Sequence, residues 1–163
     1  MLDFKVKSII HDYEVNFIND SPAVLNNEIR DGDVVIMDQK IKEFYPAITA
    51  TIPKINLLID IEAHEKQKSY EGLVPIINKL IEAGFRKNHR LIGIGGGITQ
   101  DITAFTASIM YRGVDWIFFP TTLLAQGDSC IGSKTSINFG EYKNQVGGFY
   151  PPNRIYIDLN FLD

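Results

Sequence analysis

The chain has little of what builds disulfides or metal centres: one cysteine, Cys130, and three histidines, His11, His64 and His89. A lone thiol excludes an internal disulfide and fits a reducing compartment. The histidines show no His-Glu-x-x-His spacing, so each reads as a surface or capping residue and no metal site is expected among them. Cys130 reads as a small buried side chain. A basic tract is also missing. Sixteen Lys and Arg stand against twenty Asp and Glu, a formal charge of −4 with the cations scattered. That argues against nucleic acid and anionic membranes as partners. No apolar stretch is long enough to cross a bilayer. The opening "MLDFKVKSII" mixes charges with its apolar residues and has no small-residue cleavage site. A cytoplasmic location is the expectation.

What is present suffices for one domain. The 163 residues are 45% apolar and 22% charged, enough for a real core, and neither repeats nor a linker interrupt them. Phe4, Val6, Ser8 and Ile10 alternate onto one face, and Tyr13, Val15 and Phe17 follow after a break at His11-Asp12, which predicts a two-stranded hairpin. Ser21-Pro22 reads as an N-cap with proline in the first turn of a short helix reaching about Ile29. "DGDVVIMD" at 31–38 and "INLLID" at 55–60 are apolar runs bounded by turn residues, as in strands buried on both faces. Over 69–83, Leu73, Ile76, Ile77, Leu80 and Ile81 keep helical spacing, and Gly84, Arg86 and Lys87 make a stop. "RLIGI" and "DWIFF" read as two more strands, separated by a helix that opens near Ile98. Strands alternating with helices predict an α/β fold with a mostly parallel sheet and helices on both faces. After Pro151-Pro152 a last apolar run, "RIYIDLNFL", reaches Asp163 without a closing helix, a pattern expected at a boundary to a second domain.

Two stretches carry chemistry. In "GIGGGITQDITAF" at 93–105, Gly95, Gly96 and Gly97 stand between a strand and a helix. A tight turn satisfies that pattern; so does a backbone cradle that lets a phosphate approach closely. The glycine spacing is not that of the ordinary dinucleotide fingerprint. Asp101, in the first turn, suits the helix dipole or a ligand contact equally. The stretch 120–152 mixes Thr121, Thr122, Asp128, Lys134, Lys143 and Asn144 with glycines and apolar residues. Neither a core nor a solvated loop explains this mixture, whereas a pocket for a phosphorylated, hydroxyl-rich ligand does. Taken singly, Lys134 and Lys143 read as well as surface lysines, and Asp128 as a cap.

The run "GGGITQDITAFTASIMYRGVDWIFFPTTLLAQGDSCIGSKTSIN", continued by "KNQVGGFYPPNRIYIDLNFL", resembles the nucleotide-binding half of 3-dehydroquinate synthase and related sugar phosphate cyclases. The likeness is near-continuous from Leu91 to Leu162, and "HEKQK" at 64–68 extends it upstream. The resemblance implies a Rossmann-like N-terminal domain, NAD held between it and a helical zinc-holding domain, and a homodimer. It implies a reaction that closes a seven-carbon sugar-acid phosphate into a carbocycle. NAD oxidises a hydroxyl, phosphate is eliminated, the hydride returns, and an aldol step recloses the ring. Zinc ligands are implied only in the longer enzyme, so residues 1–163 are expected to be the NAD-binding domain alone, weak in NAD binding and without turnover. Residue by residue, the resemblance puts Asp38 on the adenosine side and Glu65 and Lys68 near the ribose. Gly95, Gly96 and Gly97 fall on the pyrophosphate, with Asp101, Thr121, Thr122 and Phe161 completing the cofactor shell. Asp128, Lys134 and Asn144 would face nicotinamide and substrate with Lys143 beside them, and Arg112 would reach the substrate phosphate of a neighbouring subunit. His64, Gln100 and Ser133 stand where the family pattern has glycine. Those departures leave room for another sugar phosphate cyclase, of aminocyclitol or valiolone type. A metal-dependent alcohol dehydrogenase of the same superfamily and a non-catalytic binding domain are the other readings.

Overall fold

A computed structural model describes residues 2–163. Strands β1 (Phe4–Val6) and β2 (Tyr13–Ile18) are followed by helix α1 (Ser21–Glu28), strand β3 (Val34–Asp38), helices α2 (Gln39–Phe44) and α3 (Pro46–Thr51), and strand β4 (Leu58–Ile61). Helix α4 (Tyr70–Glu82), strand β5 (Leu91–Gly95), helix α5 (Gly97–Ile109) and strand β6 (Trp116–Pro120) come next. A turn of π-helix, Ala125–Ser129, leads to β7 (Lys134–Phe139), β8 (Tyr142–Phe149) and β9 (Arg154–Asp158). Seven strands form one sheet in the order β1-β2-β9-β6-β5-β3-β4, antiparallel only between β1 and β2. The expected α/β class and N-terminal hairpin are present.

The sheet divides two cores, and strand periodicity assigns residues to them. Val34, Ile36, Leu91, Trp116, Phe118, Ile155 and Ile157 face α4 and α5. Val35, Met37, Ile92, Ile94, Ile117, Phe119 and Tyr156 face α1, α2 and α3. Both faces are covered, which is why these strands read as continuous apolar runs. Glycine on β5 brings α5 close: a Cβ on Gly93 would stand 2.9 Å from Thr103 Oγ1.

Several expectations are corrected. Asp20, not Ser21, caps α1, accepting from Ala23 N, while Ser21 is buried and donates its hydroxyl to Asp158 at 2.7 Å. Ile10 lies outside both strands and is half-exposed, and the strand read at 55–60 begins only at Leu58. Helix α4 continues through Pro75 and leaves Ile81 exposed, with Leu73, Ile76 and Leu80 carrying its buried face. The last apolar run forms β9, which lies between β2 and β6 within the sheet. The short helices α2 and α3 and the separate β7–β8 hairpin have no counterpart in the sequence reading. Among the described residues no helix is long and apolar enough to cross a membrane.

Candidate functional site

The carboxyl ends of five neighbouring parallel strands form one rim. In sheet order, Phe161 follows β9, Thr121, Thr122 and Asp128 follow β6, and Gly95 closes β5 with Gly96 and Gly97 behind it. Asp38 closes β3, and Glu65 and Lys68 follow β4. In open parallel sheets ligands bind at this end.

The three adjacent glycines have different causes. A Cβ on Gly95 would stand 2.4 Å from Thr99 Oγ1, and one on Gly96 would stand 3.0 Å from Thr122 Cγ2. Those two positions are needed for the protein to pack on itself. A Cβ on Gly97 would meet only Ser129 Oγ, at 3.8 Å. The turn therefore explains Gly95 and Gly96, while Gly97 faces open space. Gly96 is also the N-cap of α5 with no side-chain cap bond, so the first-turn N–H groups have no intrahelical acceptor and favour an anion.

Gly97 borders a recess of about 260 Å³ that also takes in Gln100, Asp101, Asp128, Ser129, Lys134 and Asn144. Residues from α5, the π-turn, β7 and β8 meet here. Two of its lining residues are held by the buried Lys68, whose ammonium donates to Asp101 at 2.9 Å and to Asn144 Oδ1 at 2.7 Å. Ser136 Oγ donates to the same Oδ1 at 3.0 Å. Two donors on Oδ1 fix the amide's orientation, leaving the Asn144 N–H pair for a ligand. Burial raises the Asp101 carboxyl above its usual value, and Lys68 and the Ser136 main chain offset this only in part. Asp128 and Lys134 are exposed and have no ion-pair partner among the described residues. The recess thus holds one matched pair and one unmatched charge of each sign.

Near the recess, backbone geometry is unusual at two points. Asn144 has φ +56° and Ser133 has φ +63°, in the left-handed region where glycine is at ease and other residues are strained. The resemblance implies glycine at position 133, the residue type that adopts this conformation without strain. The π-turn is tied at its start by Gln126 Nε2, which donates to Pro120 O at 3.0 Å and Asp158 O at 2.8 Å. Cys130, just beyond it, is buried, and its thiol is pushed up to about 11 by that burial, which makes it a packing residue and not a nucleophile.

Not every residue picked from the sequence reaches the recess. Glu65 and Lys143 line a neighbouring depression of about 500 Å³, where Glu65 accepts from Asn138 Nδ2 at 2.7 Å. Phe161 lines another, of about 330 Å³, edge-on to Tyr45 with ring centroids 5.0 Å apart. Asp38 caps α2 through Lys40 N. Thr121 N donates to Gly95 O, and Thr122 Oγ1 accepts from Ala125 N. Arg112 is exposed in the turn after α5, at the far end of that helix, so about 12 Å of helix beyond Asp101 separates it from the recess. Ser136 lines the recess without having been singled out. Gln100 does too, having been noted only as a departure from glycine. Among the described residues no group of three or more His, Cys, Asp or Glu is placed to hold a metal ion.

The family model described as 3-dehydroquinate synthase N-terminal matches residues 58–163. The chain belongs to the 3-dehydroquinate synthase family. A 3-dehydroquinate synthase of Streptococcus equi subsp. equi is 36% identical over 165 residues, covering 98% of this chain and 46% of that protein. One of Helicobacter pylori is 44% identical over 102 residues, covering 63% and 30%. The chain thus spans less than half the length of these relatives. Among solved structures, the 2-epi-5-epi-valiolone synthase of Streptomyces hygroscopicus with NAD+ and Zn2+ bound superposes with a TM-score of 0.82 at 27% identity, over 96% of this chain and 45% of that one. A 2-deoxy-scyllo-inosose synthase complexed with carbaglucose-6-phosphate, NAD+ and Co2+ gives 0.86 at 22% identity, over 98% and 46%, a likeness of fold.

Proposed function

We propose that this chain supplies the NAD-facing and substrate-facing wall of a sugar phosphate cyclase of the 3-dehydroquinate synthase kind, a phosphorus–oxygen lyase. The observation that carries this reading is the convergence of Gly97, Asp101, Asp128, Lys134 and Asn144 on one recess at the carboxyl ends of the strands. The residues fit NAD: the open face of Gly97 and the uncapped first turn of α5 suit its pyrophosphate. Asp38, Glu65, Lys68, Thr121, Thr122 and Phe161 lie along the rim on either side. When bound, NAD supplies reversible hydride transfer.

The chain's own groups then bind and orient. Lys134 holds an anionic or hydroxyl oxygen of the sugar phosphate, Asp128 accepts from a ring hydroxyl, and Asn144 donates from its free N–H pair. Lys68 keeps Asp101 and Asn144 in place from below. Arg112 lies too far away to serve this recess and is assigned to the recess of a second subunit in a homodimer. The residues described here do not fit a divalent ion, and no step is routed through one.

The test is phosphate release from a panel of sugar phosphates by the full-length protein with NAD. A seven-carbon sugar-acid phosphate is expected as substrate. Turnover of a hexose or seven-carbon ketose phosphate instead would move the reading to an aminocyclitol-type or valiolone-type cyclase, for which His64, Gln100 and Ser133 leave room. Alcohol oxidation without phosphate release would indicate a dehydrogenase, and ligand binding without turnover a binding domain.

A further inference from the structure

Gln100 does more in this recess than fill a wall. It is buried, at 5% exposure, one residue before Asp101. Its Nε2 donates to the main-chain oxygen of Ser129 at 2.6 Å, and Ser129 Oγ donates back to Gln100 Oε1 at 3.1 Å. The two bonds join α5 to the last residue of the π-turn. Gln126 anchors the first half of that turn, so Gln100 holds the half that bears Asp128. An extra residue in a helical turn is an expanded geometry found often at functional sites, and here both halves are pinned by glutamine amides. Gln100 and Ser129 also line the recess beside Asp128, Asp101 and Lys134. With Oε1 and one N–H engaged, the second N–H of Nε2 is left for a ligand oxygen.

We infer that Gln100 is a specificity-determining and positioning residue of this recess: it sets the depth of the α5 side and fastens Asp128 opposite Lys134. The charges agree with a hydroxyl-rich occupant. Asp101 and Lys68 cancel, and Asp128 and Lys134 add one of each sign. The recess is therefore suited to the polyol portion of a sugar phosphate, where one hydroxyl or one carbon more or less is felt directly at the Gln100 wall.

The inference rests on the cyclase reading, and the test separates the two. Full-length wild type, Gln100→Ala and Gln100→Met are assayed with NAD on glucose 6-phosphate and on a seven-carbon sugar-acid phosphate, with thermal midpoints measured in parallel. Alanine removes both the volume and the clamp, so the ratio of kcat/KM between the substrates should shift by about tenfold or more. Methionine restores the volume without the bonds, so the ratio should return towards wild type while kcat stays low because Asp128 is no longer held. If alanine prevents folding, methionine carries the test through its split of kcat against ratio. A uniform loss on both substrates, with the ratio unchanged in either variant, would reduce Gln100 to a structural residue. Wild type inert towards both substrates would overturn the cyclase reading and this inference together.

Discussion

The two ends of the parallel sheet treat charge in opposite ways. At the amino ends, Arg90 before β5 donates to Glu28 Oε1 at 2.9 Å, to Glu28 O at 2.6 Å and to Asp33 at 2.7 and 3.2 Å. The other Glu28 oxygen accepts from Tyr156 at 2.6 Å and Arg154 at 3.1 Å. Burial alone would raise the Glu28 carboxyl, yet Tyr156, Arg90 and Arg154 together hold it below its usual value. Tyr156 is correspondingly pushed up to about 12 by burial and by its bond to Glu28. At the carboxyl ends, Asp101 has a cation beside it and is still raised, and Asp128 and Lys134 have no ionic partner among the described residues. One end is saturated within the chain and serves the fold. The other leaves donors and charges unspent, as a ligand site must.

The strongest way to break this contrast is Arg90→Met, which strands Glu28 and Asp33 in the interior. The expected loss is about 3–5 kcal/mol of stability, read from urea denaturation; a loss under about 1 kcal/mol would mean the cluster does not hold the fold.

Next comes Lys134→Ala at the other end. Stability should stay within about 0.5 kcal/mol, while turnover by the full-length protein falls by roughly 10- to 100-fold, the worth of a charge-assisted bond of about 1.5–3 kcal/mol. NAD affinity should change less than turnover. Equal losses in both would make Lys134 a cofactor contact, and a loss in neither would return it to the surface.

Acid should act in opposite directions at the two ends. Glu28 is lowered from 4.5, so its contribution is present above that value and is lost as pH falls through the folded-state value. Asp101 is raised from 3.8, so its contribution is present at low pH and is lost as pH rises through the folded-state value. Denaturation midpoints from about pH 3 to 6 should therefore fall less steeply on acidification in Glu28→Gln and more steeply in Asp101→Asn. Identical slopes in the two variants would contradict the assignment.

The last variant, Gly97→Ala, should lose no stability, because the added methyl meets nothing closer than 3.8 Å. Helix propensity predicts a gain of up to about 1 kcal/mol, whereas NAD titration should show weakened binding because the open face is filled. Gly95→Ala, with Thr99 Oγ1 at 2.4 Å, should instead destabilise. If Gly97→Ala bound NAD as wild type does, the space beside Gly97 would not be the pyrophosphate seat.

What could be read along the chain, and what could not, follows from the range of the interactions. Strands β3, β5, β6 and β9 announce themselves because burial on both faces favours apolar residues along most of their length. The β7–β8 hairpin does not: β8 is exposed at all but one position and carries Gly147 and Gly148, so it has no apolar period to detect. Helices α2 and α3, of six residues each, are too short for a helical period to show. Ser21 was legible as a capping type, but which of Asp20 and Ser21 caps depended on Asp158, 137 residues away, claiming the hydroxyl.

The residues by themselves determined the α/β class, the family and the set of groups at the strand ends, because apolar periodicity and local motifs are written in neighbouring positions. Only the tertiary structure decided how those groups combine. Lys68 meets Asp101 across 33 residues and Asn144 across 76, and Gln100 clamps Ser129 across 29. It also decided that Gly95 and Gly96 answer to threonines while Gly97 faces open space. These are contacts between side chains brought together by sheet closure, and no local pattern encodes the distance between two atoms far apart in the chain.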